Sequence, residues 1–197
     1  MSGHLSPTLS LDDAALIVVD VQNDFCPGGS LGVPEGDAVI RPINRWVAAF
    51  KEAGRPVFYT RDWHPSGHIS FAEQGGPWPP HCVQNSDGAR FHPSLRIEGP
   101  EFLKGTDIHR DAYSGFEGRD PLSGLSLAEA LRKTGTQALL VVGLATDYCV
   151  KATALDGIRE GFRVSVDEEA VRAVNVAPDD GARALSEMAR AGVSVTK

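Results

Sequence analysis

Hydrophobic positions along the chain switch repeatedly between strand-like runs and helical stripes. Ala15-Leu16-Ile17-Val18-Val19 is a continuous apolar run of the kind buried on both faces of a parallel sheet. Val39, Ile43, Trp46, Val47 and Phe50 then recur at helical spacing. Gly54 is a natural stop for that helix, and Pro42 is tolerable only if the helix begins near it. Pro56–Thr60 predicts a second strand, Glu101–Leu103 a weak third, and Leu125–Thr134 a helix ended by Gly135. Ala138-Leu139-Leu140-Val141-Val142 is a strand as apolar as the first. Tyr148, Ala152, Leu155, Ile158 and Phe162 make the next helical stripe, closed by Gly161. Phe162–Val166, a helix over Pro178–Ala191 and a short strand at Val193–Val195 complete the series. The alternation predicts one α/β domain, an open six-stranded parallel sheet with helices on both faces. Ligands in such sheets bind at the carboxyl ends of the strands.

Composition changes this picture in one place. Between Arg61 and Pro100, 11 of 40 residues are Gly or Pro, against 23 of the other 157. Four of the six histidines (His64, His68, His81, His92) fall in the same window. A long irregular stretch inside a compact domain is usually functional or disordered. Trp63, Phe71, Trp78 and Phe91 can bury area and fix it, so an ordered functional loop is expected.

The 197 residues suit one domain, and 42% hydrophobic content is enough for a core. A net charge of −7 without a Lys/Arg cluster argues against a nucleic-acid partner. The longest apolar runs are too short to cross a bilayer, which argues against a membrane partner. Met1–Ser10 lacks the basic start and apolar stretch of a signal peptide. Cys26, Cys82 and Cys149 are too few and too scattered for a disulfide framework, which fits a reducing cytoplasm.

Three polar residues sit where predicted strands end: Asp20 after the first, Lys104 after the third, Cys149 just after the fourth. A carboxylate at such an edge can be partly desolvated and so become a usable base. An Asp there serves equally as a turn cap. Leu140 to Cys149 reads as strand, tight turn, then helix, with Thr146 or Asp147 as the N-cap. The thiol would then lie in the first helical turn, where the helix dipole favours thiolate. Burial as a small hydrophobe is the commoner fate of an intracellular cysteine, and is the reading for Cys26 and Cys82. Lys104 alone is an ordinary surface lysine. Beside a thiol and a carboxylate, it could hold both as anions. The trio then makes an amidase: the Asp takes the thiol proton, the thiolate attacks a carbonyl, the Lys stabilises charge.

The loop supplies a second constellation. Asp62 and His64 are two apart and project to one side of an extended segment, and His68 and His81 follow. A carboxylate with imidazoles suits Zn²⁺ or a similar ion, with open positions for water or substrate, although the spacing matches no common zinc motif.

These stretches together resemble the nicotinamidases (pyrazinamidases) of the isochorismatase-like cysteine hydrolase family. The matching segments are Val19-Asp20-Val21-Gln22-Asn23-Asp24-Phe25-Cys26 with Gly28-Gly29-Ser30-Leu31, Asp62-Trp63-His64-Pro65 through Phe71, and Trp78-Pro79-Pro80-His81-Cys82-Val83-Gln84-Asn85. Lys104-Gly105, Tyr113-Ser114-Gly115-Phe116, Val142 to Val150 and Val174-Asn175 continue the match in order. The resemblance implies a catalytic triad of Asp20, Lys104 and Cys149, and metal ligands Asp62, His64 and His81. It places His68 near a histidine that ligates in some members. It further implies oxyanion donors at the Ala145 and Cys149 amides, a cis Leu144–Ala145 peptide, and ring-flanking aromatics Phe25, Trp78 and Tyr113.

The activity implied is metal-dependent hydrolysis of nicotinamide to nicotinic acid and ammonia, with pyrazinamide as a further substrate, in NAD salvage. The ion is expected to be zinc, with iron or manganese as alternatives, and the chain can form a homo-oligomer. Residues 1–11 are expected to be a flexible tail and 12–197 the hydrolase domain, with 61–100 its metal-binding active-site loop. A related amidase acting on a ureido or carbamoyl compound would share the triad without needing the metal ligands. A binding or redox module would want a phosphate-cradling glycine loop or a Cys-x-x-Cys pair, and the chain has neither.

Overall fold

The computed structural model describes residues 11–197. Six strands, β1 (Ala14–Val19), β2 (Val57–Asp62), β3 (Glu101–Lys104), β4 (Ala138–Leu144), β5 (Arg163–Arg172) and β6 (Ser194–Thr196), form one sheet in the order β3-β2-β1-β4-β5-β6. Every pairing is parallel. The order reverses direction between β1 and β4, and this switch point is where an open α/β sheet forms a crevice at its carboxyl edge.

Alternate residues of the central strands feed two cores. Leu16 and Val18 of β1, with Leu140 and Val142 of β4, face α1 (Ile40–Glu52), which buries Ile43, Val47 and Phe50 completely. Ala15, Ile17 and Val19, with Leu139 and Val141, face α2 (Leu127–Lys133), α3 (Lys151–Arg159) and α4 (Asp180–Arg190). Each fully buried Phe or Ile stabilises by roughly 1.5–3 kcal/mol, and truncating Phe50 to Ala would cost about 3–5 kcal/mol. Pro42 falls in the first turn of α1, where its missing N–H costs nothing.

Three local expectations are corrected. The fifth strand runs six residues past Val166 to Arg172, beyond a bulge in its pairing with β4 between Val141 and Gly143. The helix expected from Leu125 starts at Leu127, because Ser126 caps it: its side chain accepts from Glu129 N while Glu129 reaches back. After β4 the chain does not enter an α-helix directly. Thr146–Val150 forms a π-helical turn, with the Val150 N–H donating to Ala145 O at 3.1 Å, and α3 follows.

Leu11, at the end of the segment expected to be a tail, packs against the α1-side core. The remainder of that expectation, Met1–Ser10, lies outside the described residues. No helix among the described residues is long and apolar enough to cross a membrane.

Candidate active site

Four neighbouring strands end at one place, and each delivers one polar side chain there. Asp20 follows β1, Asp62 closes β2, Lys104 closes β3 and Cys149 sits in the π turn after β4. All four are buried. Asp20 adopts φ +48°, a left-handed conformation that Asp tolerates better than most residues, and it turns the chain sharply out of the strand.

Lys104 is the hub. Its Nζ lies 3.0 Å from Asp20 Oδ2, hydrogen-bonds Asp62 Oδ1, and lies 3.4 Å from Cys149 Sγ. Burial opposes the ammonium charge, but the Asp20 and Asp62 carboxylates outweigh it and hold the Lys104 pKa well above the usual value. Burial also raises Asp20, against the pull of Lys104. At Asp62 the balance is reversed: burial works upward, and Lys104 and His64 bring it well below the carboxylate range.

The expected thiolate is corrected here. Burial pushes the Cys149 thiol well above its ordinary value despite Lys104, so the resting sulfur is a thiol that needs a base. The Asp20 carboxylate, which shares the Lys104 ammonium with the thiol, is the candidate acceptor for its proton. Thr60 Oγ1 donates to Asp20 Oδ1 at 2.6 Å, whereas Oδ2 receives no well-aligned hydrogen bond and faces the ammonium.

The second constellation also assembles. One donor atom from each of Asp62, His64 and His81 lies within 4.8 Å of the others. Gly105 O accepts from His64 Nδ1 at 2.9 Å and Pro79 O from His81 Nδ1 at 2.8 Å. A carbonyl only accepts, so in the neutral rings each Nε2 carries the lone pair a metal requires. His64 Nε2 is 3.6 Å from Asp62 Oδ2, and that carboxylate keeps the His64 pKa raised in spite of burial; burial lowers His81. Gly105 is required for this contact: it sits at φ +62°, and a Cβ there would run into the His64 ring.

His68 lies apart from this trio in chemistry, though its ring stacks on His64 at 4.2 Å. Its Nδ1 meets Ser70 Oγ at 2.7 Å and its Nε2 meets Arg110 O at 3.1 Å, so both nitrogens are occupied within the protein. A second trio, Asp20, Asp62 and Cys149, has similar spacing, but the Lys104 ammonium already contacts all three.

Phe25, Trp78 and Tyr113 line one cleft with Cys149, Ala145, Asp62 and His81. Trp78 Nε1 donates to Tyr113 Oη at 3.1 Å, and Tyr148 packs edge-on to Trp78 and stacks on Tyr113. The peptide Leu144–Ala145 is cis. Ala145 and not Thr146 or Asp147 occupies the N-cap, without a side-chain bond.

Three residues that position the site escaped the sequence reading. Thr60 orients Asp20. Gln22 fixes the end of β2, since its Oε1 accepts from Asp62 N at 2.8 Å and its Nε2 donates to Asp62 O at 2.9 Å. Asp147, expected as a cap, turns instead to the segment after β5, accepting from Val174 N at 2.9 Å and Asn175 N at 2.8 Å. All three partners lie far away in sequence; Gln22 within the Asp20 segment and Asp147 within the Cys149 segment stand where a role could be suspected, but nothing local names their partners.

Residues 14–197 match the isochorismatase domain model. The chain belongs to the isochorismatase family. Among its relatives, the nicotinamidase of Escherichia coli K12 is 42% identical, covering 92% of this chain and 93% of that protein. The nicotinamidase/pyrazinamidase of Mycobacterium tuberculosis is 45% identical over 92% and 97% of the two chains. A crystal structure of the pyrazinamidase of Pyrococcus horikoshii in complex with zinc superposes with a TM-score of 0.85 at 46% identity, over 94% of this chain and 99% of that one. The Pyrococcus horikoshii structure thus shares the fold of this chain, and all three of these proteins carry amidase names.

Proposed function

We propose that the protein is a metal-dependent nicotinamidase that hydrolyses nicotinamide, and pyrazinamide likewise, to the carboxylate and ammonia through a Cys149 thioester. The observation that carries this reading is the adjacency of two clusters: a thiol, carboxylate and ammonium share one cleft with Asp62, His64 and His81. A carbamoyl amidase of the family would have no use for the second cluster. The donor set fits a zinc-like divalent ion: two imidazole Nε2 atoms, one carboxylate, and a buried surplus of negative charge from Asp20 and Asp62 over Lys104. When bound by these side chains, such an ion supplies a Lewis-acid anchor with open positions for a ring nitrogen.

Phe25, Trp78 and Tyr113 flank the aromatic ring and exclude water from the carboxamide. Asp20 Oδ2 takes the Cys149 proton, and Sγ attacks the carboxamide carbon. The carbonyl electron pair moves onto oxygen, where the Ala145 and Cys149 amides receive it. As the C–N bond breaks, Asp20 returns the proton to nitrogen, and ammonia leaves. Water then attacks the thioester with Asp20 again as base, releasing nicotinate and restoring the thiol. Lys104 stays charged throughout and balances the anions on either side.

The reading places the enzyme in NAD salvage in the cytoplasm. Incubation of the metal-supplemented protein with nicotinamide should release ammonia. Benzamide, which has the carboxamide but no ring nitrogen, should be a far poorer substrate. Equal turnover of the two, or none of nicotinamide, would overturn the assignment.

A further inference from the structure

Asp147 lies two residues before the nucleophile, is buried, and takes no part in the proton transfers above. Each of its carboxylate oxygens accepts a different backbone N–H: Oδ1 from Val174 and Oδ2 from Asn175. Both donors belong to the segment joining β5 to α4. Val174 lines the substrate cleft together with Phe25, Trp78 and Cys149. Asn175 holds a left-handed φ of +54°, and its Oδ1 accepts from Gly181 N of α4 at 2.9 Å. Val174 and Asn175 are therefore tied by two hydrogen bonds to the turn that carries the thiol, and Asn175 is tied in addition to α4.

We propose that Asp147 is a positioning residue that clamps Val174 as a wall of the substrate cleft, tying the width of the cleft to the turn bearing Cys149. The proposal rests on the nicotinamidase reading for its substrate, but the clamp itself is independent of it. The nucleophile has other supports. Thr153 Oγ1 donates to Cys149 O at 2.7 Å, Val150 N–H closes the π turn on Ala145 O, and Lys104 holds the sulfur. Val174 N–H, by contrast, goes to Asp147. Weakening the clamp should thus displace the wall more than the thiol, and ground-state and transition-state binding should suffer alike. Asp147→Asn is the suitable change. It keeps the size of the side chain but supplies one acceptor oxygen where two are used.

The experiment combines steady-state kinetics on the metal-loaded enzyme with amide hydrogen exchange. D147N should raise KM for nicotinamide about tenfold and change kcat less than about threefold. V174A should raise KM by itself, and D147N added to V174A should raise it by less than about threefold more, because the two act through one contact. A KM unchanged in D147N or in V174A, or a full tenfold effect that persists in the double variant, overturns the proposal. In the wild type, the Val174 and Asn175 amides should exchange much more slowly than that of the exposed Val176. Equal rates overturn it even if D147N fails to fold. Absence of nicotinamide turnover in the wild type would count against the activity alone, since the exchange rates decide the clamp without substrate.

Discussion

The Thr60 hydroxyl donates to Asp20 Oδ1 at 2.6 Å, and so determines which oxygen of that carboxylate is left to receive a proton. The bond joins adjacent strands at their carboxyl ends and is wholly buried. It also lowers the pKa of Asp20 against the upward push of burial. Thr60→Val keeps the shape of the side chain but removes a bond to a charged group worth about 1.5–3 kcal/mol. Turnover should fall roughly tenfold. Asp20 should then hold its proton more tightly, so the acid limb of the kcat/KM profile should move to higher pH. A limb at the same pH in the variant would show that Thr60 does not set the base.

In the proposed mechanism Asp20 serves as a base only when ionised, so activity should be present above its raised pKa and lost as pH falls through it. The acid limb should therefore lie above the pH at which an ordinary aspartate titrates. Asp20→Asn should cost at least ~100-fold in kcat, the lower scale for a positioned general base. The limb should vanish from any residual activity, as stopped assays of ammonia release across pH would reveal.

Cys149→Ala should abolish hydrolysis, whereas Cys26→Ala and Cys82→Ala should keep most of it. Burial holds all three thiols above their usual pKa, Cys26 at about 11, so none is a free thiolate at neutral pH. Only Cys149 has a carboxylate and an ammonium beside it in a cleft. Mass spectrometry after limiting alkylation should find it modified first, and Cys26 labelled ahead of it would argue against that environment.

Chelation should abolish nicotinamide hydrolysis without unfolding the sheet, since the central strands pack on both faces against α-helices and only one core takes in loop residues such as Trp63 and Cys82 beside the metal cluster. His81→Ala should lower metal content measured by atomic absorption. Gly105→Ala should do the same from outside the ligand set, because its Cβ collides with the ring of His64 and its φ of +62° disfavours a side chain. Circular dichroism should report an intact sheet in both variants. Full metal occupancy in Gly105→Ala would refute the argument from contact.

Much of this was legible along the chain because the central strands are buried on both faces. Such strands appear as unbroken apolar runs, and a polar residue directly after one, such as Asp20, marks the carboxyl edge. Legibility failed where the determining partner is remote. Nothing local announces that Thr60 meets Asp20, that Gln22 holds Asp62, or that Asp147 spans to Val174. The charged run Asp167-Glu168-Glu169 hides the second half of β5, which stays in the sheet because β4 is there to pair with. Thiol ionisation was misjudged for a related reason: the helix dipole is local and readable, while desolvation depends on every element that closes over the sulfur. The start of α2 is placed two residues early by the periodicity alone, although Ser126 and Glu129 have the spacing of a capping box that marks it.

Because β1 pairs with β2 on one side and β4 on the other, it remains an open edge until most of the chain has been made. Synthesis delivers β1, β2 and β3 first, and these can zip together on one side only. The other edge of β1, six apolar residues with unpaired N–H and C=O groups, then waits for residues 138–144. An exposed, hydrophobic strand edge is a template for pairing with another chain. Chains arrested or truncated before β4 should therefore aggregate and hold no partial activity, and the nascent protein should depend on chaperones most in the interval before residue 138 emerges.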